Sequence, residues 1–363
     1  MGGAQWIGFF EVPGILLIRL MSRCNEKCLF CMVADEIAQS DDVDFDLAVQ
    51  RIATQPAGTL IEFFGGEPTI YPQFLDLLRA ARTREYPCSI ATNMRIFHSQ
   101  KFTASVASLG APSIYVRTSI YGHDAQVHDY YTATGGSYHQ TVRGVRNVVA
   151  AGFPNQVNVV ILAQNYRHLP QITRQVHQWG VRRIKFGNLT NVRTCAAHVV
   201  SLASMKPYLQ EAVATAETLG LSVTIEKTPI CVAGRRVDLL STERRIYGTV
   251  RSYDDAGTCG GCLVRRWCDG LDKDYADRFG FGGIERVETV PVQVIRPLGP
   301  DCQPELLKMY CVAVEDAQPD TLTMANLEHV LNRVSAKHGD LAIFPRKYLR
   351  ESVALQTPTM LSQ

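Results

Sequence analysis

Six short apolar, β-branched runs recur between residues 15 and 189, and helical patterns separate them. The runs cover residues 15–20, 59–64, 88–92, 114–120, 157–162 and 183–189. Two of the helical patterns end at a glycine, Gly152 and Gly180, which is a common stop signal for a helix. This alternation predicts an α/β fold with a parallel sheet, either open or curled into part of a barrel. In such folds the functional residues lie at the carboxyl ends of the strands.

The pattern changes after a helix predicted for residues 203–219. Residues 221–231 look like a strand that ends at Cys231, and the chain then becomes richer in Gly and Cys. The 363 residues are enough for one large α/β domain and a smaller appendage. We therefore predict a barrel over residues 1–220, a small second domain over residues 221–289 and a C-terminal extension over residues 290–363.

Composition excludes several classes of protein. Hydrophobic residues make up 46% and charged residues 20%, as in ordinary soluble proteins, and the net charge of +2 gives no argument for nucleic acid or an anionic membrane. No apolar run approaches the ~20 residues of a membrane span, and the first residues lack the basic start of a signal peptide. The lack of a secretion signal predicts a reducing cytoplasm. There, clustered thiols such as those among the 11 cysteines are more typical of metal ligands than of disulfides.

Three of these cysteines lie in one short segment just past the first predicted strand. Cys24, Cys28 and Cys31 have the spacing C-x3-C-x2-C. Full ligation of a cubane 4Fe–4S cluster takes four thiolates, so three would leave one iron open to a substrate or cofactor. Two other interpretations of the spacing are a zinc knuckle with a distant fourth ligand and three buried thiols.

A second motif, "GGEP", follows the second predicted strand. Gly65 and Gly66 lack side chains where a ligand could approach the backbone, and Glu67 can accept hydrogen bonds from a ligand ammonium group. Pro68 leads into the next helix. Taken alone, the segment is equally compatible with a plain strand–helix turn.

The two motifs together resemble those of the radical S-adenosylmethionine (radical SAM) superfamily. In that superfamily C-x3-C-x2-C follows the first strand, an aromatic residue such as Phe30 precedes the last cysteine, and GGE follows the second strand. The resemblance covers residues 15–219. It implies a partial (β/α)6 TIM-type barrel with a small C-terminal auxiliary-cluster domain.

The resemblance also implies a chemistry. The open iron of a 4Fe–4S cluster on the three catalytic cysteines would bind the amino and carboxylate groups of S-adenosylmethionine. One electron would cleave the sulfonium, and the 5′-deoxyadenosyl radical would abstract a hydrogen atom from the substrate. Glu67 and the adjacent backbone would hold the ammonium group, Phe30 would lie near the adenine, and Asn93 and Ser119 would contact the ribose and carboxylate. The predicted cofactor-binding residues are thus Phe30, Gly65, Gly66, Glu67, Pro68, Asn93 and Ser119.

A second cysteine group lies in the predicted second domain. Cys259, Cys262 and Cys268 have the spacing C-x2-C-x5-C, Gly270 follows them, and Cys231 precedes them at the end of a predicted strand. Four thiolates make a complete site, either for structural zinc or for a second 4Fe–4S cluster.

This segment resembles the Twitch and SPASM auxiliary-cluster extensions of radical SAM enzymes. A full SPASM domain has a further cysteine at the position of Asp272. The resemblance therefore favours one Twitch-like auxiliary cluster on Cys231 and the three downstream cysteines. Cys302 or Cys311 could replace Cys231 as a ligand.

The function predicted from these features is radical modification of a small biosynthetic substrate by oxidation, epimerisation, cyclisation or rearrangement. Flavodoxin or ferredoxin would be the electron donor. A peptide-modifying maturase is the alternative, disfavoured because about fourteen residues precede the first strand, too few for a leader-binding domain. A methyltransferase is disfavoured because no cobalamin-type domain precedes the barrel. A non-catalytic zinc or Fe–S protein for binding or electron transfer is the alternative of another class.

Overall fold

The computed structural model describes residues 8–12, 14–31, 42–189, 195–236, 239, 251–265, 268, 270–291 and 321–323. Its largest unit is an eight-stranded sheet whose strands follow one another in chain order. The strands are β1 (Gly8–Val12), β2 (Ile15–Arg19), β3 (Leu60–Phe64), β4 (Cys88–Ala91), β5 (Ile114–Ile120), β6 (Asn155–Ile161), β7 (Arg183–Asn188) and β8 (Ser222–Glu226). The helices between them are α1 (Phe45–Ala53), α2 (Phe74–Arg82), α3 (Gln100–Ala107), α4 (Ala125–Thr132), α5 (Ser137–Ala150), α6 (Leu169–Gln178) and α7 (Leu202–Thr218).

The predicted parallel α/β sheet is confirmed, with one more strand than expected. Strands β2 to β8 pair in parallel, each with the next, whereas β1 pairs antiparallel with β2. Among the described strands β1 and β8 form the two edges, so the sheet is open. The six predicted strands correspond to β2–β7, and the (β/α)6 count is corrected to seven parallel strands.

The extra parallel strand is β8, whose residues belong to the second domain in the prediction from sequence. It pairs with β7 in register, so the sheet extends past residue 220, the predicted end of the barrel. The strand ends at Glu226, which corrects the prediction that it runs to Cys231. Cys231 lies instead in the turns that follow.

The two faces of the sheet differ in character because successive side chains of a strand point to opposite faces. Apolar residues such as Ile18, Phe63 and Phe186 lie on one face and pack with α1–α7 in the main core. The opposite face, which we call the inner face, carries polar and charged side chains at the alternating positions. These charged residues are Arg19, Glu62, Arg117, Arg183, Lys185 and Glu226.

Local signals set the helix ends. Asp44, Ser99, Asp124 and Ser201 cap four of the helices by accepting a backbone N–H near the helix start. The predicted stops at Gly152 and Gly180 are confirmed by their positive φ angles of 78° and 85°, just past α5 and α6. No described helix combines the length and apolar character that crossing a bilayer requires.

Beyond β8, the described residues form short elements. They are β9 (Arg251–Ser252), β10 (Leu271–Asp272), α8 (Lys273–Phe279), β11 (Thr289–Pro291) and β12 (Thr321–Thr323). The hydroxyl of Tyr275 in α8 accepts a hydrogen bond from the backbone N–H of Leu202 at 2.7 Å, which joins this part to α7. Most of the predicted extension over residues 290–363, including Cys302 and Cys311, lies outside the described residues.

Candidate active site

The three-cysteine loop follows β2, and the end of α4 holds it in place. The backbone N–H of Lys27 donates to the carbonyl of Thr132 at 3.0 Å, and that of Leu29 donates to Tyr131 at 2.9 Å. Cys24, Cys28 and Cys31 form no disulfide and are half-buried. Since α4 follows β5, these bonds hold the thiols over the carboxyl ends of the strands, as the sequence predicted.

The electrostatics of this loop disfavour metal-free thiolates. Burial raises the pKa of Cys24 to about 12, although the Glu26 backbone N–H lies 3.4 Å from its Sγ and opposes the shift. Burial also raises the pKa of Cys28, whose Sγ lies 3.6 Å from the Glu26 carboxylate, and raises the pKa of Glu26 to about 7. A bound metal favours ligand thiolates through its positive charge, so this donor set fits a metal cluster.

Gly65 and Gly66 pack against the chain that leads into the cysteine loop. A Cβ atom on Gly66 would lie 2.2 Å from the carbonyl oxygen of Arg23, and one on Gly65 would lie 2.5 Å from that of Met21. The backbone N–H of Gly66 donates to Met21 at 2.8 Å, and that of Glu67 donates to Arg23 at 2.9 Å. Glycine is therefore required at these two positions because the protein's own backbone passes close to them. The prediction from sequence was that a ligand approaches them.

Glu67 is fully buried, and its carboxylate binds protein donors. Oε1 accepts hydrogen bonds from the Thr69 backbone N–H at 3.1 Å and the Thr92 hydroxyl at 2.7 Å, and Oε2 accepts one from the Asn93 N–H at 2.7 Å. Burial raises its pKa and these bonds oppose the shift. Pro68 begins the buried 3-10 turn that follows. Because the Glu67 side chain joins β3 to the end of β4, contact with a ligand ammonium would fall to the backbone of this segment.

Asn93, just past β4, connects the GGEP segment with the cysteine loop. Its Nδ2 lies 3.8 Å from the Sγ of Cys24 and also donates to the side chain of Asn25. Its backbone carbonyl accepts a hydrogen bond from the Thr141 hydroxyl at 2.9 Å. The guanidinium of Arg95 donates to the backbone carbonyl of Asn25. Asn93 thus lies beside the thiols, and its predicted contact with the cofactor remains a prediction.

Phe30 belongs to a small aromatic cluster at the carboxyl ends of β5 and β6. Its ring meets those of Tyr121 and Tyr131 edge-on, with centroids 4.9 Å and 5.8 Å apart. Tyr121 hydrogen bonds with Ser119, and burial raises the pKa of Tyr121, with the charge of Cys28 adding to the shift. Ser119 therefore contacts Tyr121, and the Tyr121 ring in turn packs against Phe30 of the cysteine loop. Tyr121 is not among the residues predicted from the sequence, although it follows a predicted strand end, which is a detectable signal.

The second cysteine group converges on one cavity. Cys231, Cys259, Cys262 and Cys268 all line one cavity. Burial raises the pKa of Cys231 and of Cys259, and hydrogen bonds from the backbone of Glu285 and of Asp254, respectively, oppose these shifts. The backbone N–H of Gly270 lies 3.4 Å from the Sγ of Cys268. Backbone N–H groups therefore point at three of the four sulfurs, and such bonds tune Fe–S clusters.

Tyr253 forms one wall of this cavity. Its hydroxyl donates to the carbonyl of Cys268 at 2.9 Å, and the guanidinium of Arg265 stacks 3.3 Å from its ring centre. Asp255 binds this guanidinium with both carboxylate oxygens, at 2.9 and 3.2 Å. A Cβ atom on Gly270 would lie 2.6 Å from the Tyr253 ring. The glycine that trails the motif is thus required by the aromatic wall.

In the part of the chain that the structure describes, no three His, Cys, Asp or Glu side chains are placed to hold one metal ion. A structural zinc site requires four ligands around one ion. In a cubane cluster, each thiolate binds a different iron.

Comparison with known families decides the family. The profile of the Radical SAM superfamily matches residues 18–176, which contain the cysteine loop, the GGEP segment and strands β3–β6. Residues 18–176 therefore form a radical SAM domain. Within this radical SAM domain, the structure brings Cys24, Glu67 and Asn93 into one hydrogen-bonded network. Phe30 and Ser119 lie on the other side of the loop, around Tyr121.

Two curated relatives and one solved structure are similar to parts of this chain. Mycofactocin maturase MftC from Mycobacterium tuberculosis is 26% identical over 277 residues, which cover 70% of this chain and 68% of that protein. The tungsten-containing aldehyde ferredoxin oxidoreductase cofactor-modifying protein from Pyrococcus furiosus is 26% identical over 182 residues, 48% of this chain and 51% of that protein. Streptococcus suis SuiB bound to S-adenosylmethionine aligns with a TM-score of 0.47 and 18% identity, over 58% of this chain and 49% of that one. The chain thus spans about half the length of the Pyrococcus furiosus relative.

Proposed function

We propose that this protein is a radical SAM enzyme that reductively cleaves S-adenosylmethionine and abstracts a hydrogen atom from a biosynthetic substrate. The observation that carries the proposal is the placement of three cysteine side chains in one loop over the carboxyl ends of the parallel strands. Asn93 and Glu67 join that loop to the GGEP segment. The bound cluster and S-adenosylmethionine supply one-electron cleavage and a 5′-deoxyadenosyl radical.

The chain's own residues would bind and orient these groups. Cys24, Cys28 and Cys31 hold the cluster, and the N–H of Asn93 supports the thiolate of Cys24. The backbone around Gly66 holds the ammonium group of S-adenosylmethionine, and Phe30 provides an apolar surface for the adenine. These roles depend on a fixed geometry, which the backbone bonds from Lys27 and Leu29 to α4 provide.

The second cysteine group would bind an auxiliary 4Fe–4S cluster. The convergence of four cysteines on one cavity supports this assignment, as do the backbone N–H groups aimed at three of the sulfurs. Complete ligation by four thiolates would leave no iron open. The cluster would then transfer electrons or shape the site rather than bind substrate, with flavodoxin or ferredoxin as the predicted donor.

The substrate is proposed to be a small molecule, with a peptide as the second candidate. The name of the mycobacterial relative, a maturase, favours the peptide, and that of the Pyrococcus furiosus relative, a cofactor-modifying protein, favours a small molecule. Incubation of the reconstituted enzyme with metabolite and peptide pools would separate the two. Substrate-dependent 5′-deoxyadenosine formation should follow only one pool.

Anaerobic reconstitution of the wild type and the triple variant Cys24→Ala/Cys28→Ala/Cys31→Ala tests the proposed activity. We expect about eight irons in the wild type and about four in the variant. With dithionite and S-adenosylmethionine, only the wild type should form 5′-deoxyadenosine. Zinc in place of iron, or no nucleoside from a fully loaded and reduced wild type, would contradict the proposal.

Three further variants test the auxiliary site. Cys259→Ala/Cys262→Ala should lose about four irons, whereas Cys88→Ala, which changes a buried lone thiol of β4, should lose none. Cys302→Ala/Cys311→Ala should also keep the full iron content. Loss of iron from that last variant would show that Cys231 is wrongly assigned as a ligand.

A further inference from the structure

The charged residues of the sheet have a one-sided distribution. In the seven parallel strands, all of which the structure describes, every charged side chain belongs to the inner face. Four are cationic and two are anionic: Arg19, Arg117, Arg183, Lys185, Glu62 and Glu226. Burying charge is costly, and an apolar face would avoid that cost. A buried face on which cations outnumber carboxylates attracts anions.

Two of these cations form ion pairs within the inner face. The Nζ of Lys185 lies 3.2 Å from Oε2 of Glu226, between β7 and β8. Arg117 pairs with Glu62, between β5 and β3. Lys185 and Glu62 are both buried. In a low-dielectric interior, a buried cation attracts an anionic ligand group more strongly than a solvated one would, and its carboxylate partner offsets part of that attraction.

Lys185 lies on the same face as residues of the candidate active site. In the sheet register Lys185 is opposite Asn158, and Asn158 is opposite Ser119. Val160, two residues further along β6, packs against the Phe30 cluster. At roughly 3.3 Å per strand residue, Lys185 is therefore about 7 Å below the level of that cluster. From that backbone position the Lys185 side chain extends to the side chain of Glu226, which is level with Gly187 and Val160 in the register.

Gly187 leaves room beside the Lys185–Glu226 pair. A Cβ atom on Gly187 would meet its nearest neighbours, atoms of Glu226, only at 3.9 Å. Gly187 is opposite both Val160 and Glu226 in the register. Gly187 therefore leaves the inner face of β7 without a side chain at the level of Val160 and the Phe30 cluster.

We propose that Lys185 binds an anionic group of the substrate, a carboxylate or a phosphate, on the inner face of β6–β8. Glu226 holds the lysine in place and competes with the ligand for it. The assignment of this anion site to the substrate rests on the proposed radical SAM function. The binding itself does not require that chemistry.

Anion binding by the anaerobically reconstituted full chain tests the proposal. The probes are succinate, inorganic phosphate and the neutral isostere succinamide, measured by calorimetry with S-adenosylmethionine present. We expect succinate or phosphate to bind to the wild type, the tighter of the two identifying the group, and succinamide to bind at least about tenfold more weakly. Wild-type formation of 5′-deoxyadenosine in the same samples reports the proposed function separately.

Substitutions of the two charged residues should have opposite effects on anion binding. Lys185→Gln should weaken binding of the preferred anion about tenfold or more, and Glu226→Gln should strengthen it. Gly187→Leu should block binding by filling the open space. The exposed Lys101→Gln on α3 should change nothing. If Lys185→Gln misfolds, Lys185→Gln/Glu226→Gln removes both charges and should bind the anion as weakly.

Equal binding of succinate and succinamide, or of the anion to wild type and the double variant, would overturn the anion site. The absence of any anion binding by a wild type that cleaves S-adenosylmethionine would also overturn it, while leaving the proposed function intact. Anion binding by a fully loaded wild type that forms no 5′-deoxyadenosine would contradict the proposed function and leave the anion site intact.

Discussion

The side-chain nitrogen of Asn93 lies 3.8 Å from the Sγ atom of Cys24. This contact joins the residue after β4 to the first thiol of the cysteine loop. A hydrogen bond from N–H to a ligand sulfur stabilises the more negative, reduced state of an Fe–S cluster and so raises its reduction potential. Asn93 therefore has a role that does not depend on direct contact with S-adenosylmethionine.

Asn93→Ala should lower the midpoint potential of the first cluster. The expected change is roughly 40 mV, equivalent to about 1 kcal/mol for one electron. An EPR-monitored redox titration would measure it. Asn147→Ala is the control because its amide binds the carbonyls of Phe97 and His98, away from the loop. An unchanged potential in Asn93→Ala would contradict a bond from this amide to the cluster ligand.

Gly66→Ala should displace the cysteine loop. The new methyl group would lie 2.2 Å from the Arg23 carbonyl and 2.3 Å from that of Ser22, and neither backbone atom can move without moving the loop. We expect the first cluster to be lost, about four irons, and the free energy of unfolding to fall by about 2–3 kcal/mol. Gly135→Ala is the matched control because nothing lies within 4 Å of its Cβ position. Normal iron content in Gly66→Ala would show that the contact is not restrictive.

Glu67→Gln should destabilise the fold even without a cluster. The amide nitrogen would replace one carboxylate oxygen and leave a buried donor, such as the Asn93 N–H, without an acceptor. The expected loss is about 1–3 kcal/mol, measured by urea unfolding of the metal-free protein. The exposed Glu85→Gln should have no such effect. Equal stability of Glu67→Gln and wild type would instead suggest that the carboxylate acts only through a ligand.

His128 should make stability depend on pH. Burial lowers its pKa from 6.5 to about 4, and its Nδ1 accepts the Tyr121 backbone N–H at 3.2 Å. Because the unfolded chain binds the proton more readily, this contribution is lost as pH falls from 6.5 towards 4. Between pH 7 and pH 5, the wild type should lose about 2 kcal/mol more unfolding free energy than His128→Asn.

The control for this pH effect is the exposed His139→Asn, which should follow the wild type. Urea unfolding of the metal-free proteins at the two pH values is the measurement. Parallel pH profiles for wild type and His128→Asn would mean that the buried imidazole does not titrate in this range.

The order of the sheet was predictable, whereas its edges were not. Strands β2–β7 are apolar runs separated by helical patterns, and such runs have few alternatives to a parallel sheet. Strand β8 has the alternating sequence "SVTIE", but it precedes a change in composition and so was assigned to the next domain. Strand β1 returns through Gly14, whose φ is +79°, and a hairpin at one edge adds no periodic signal along the chain.

The motifs of the site were predictable for a different reason. Spacing identifies Cys24, Cys28 and Cys31 because cluster ligation depends on local geometry. The partners of these motifs come from distant segments: Thr92 reaches Glu67, and Tyr121 reaches Phe30. Such contacts depend on how the strand ends meet in space, which a single sequence does not encode in its local pattern.

The apolar core is continuous across the predicted domain boundary. Cys231, Leu263, Tyr275 and Val287 belong to the same packed cluster as the barrel residues Ile225 and Leu209. Regions that share a core unfold together, in a single cooperative transition. A ligand bound only by the folded second cysteine group would therefore stabilise the whole sheet. If the second group binds the proposed cluster, Cys259→Ala/Cys262→Ala should lower the melting temperature of the parallel sheet as well as that of its own segment.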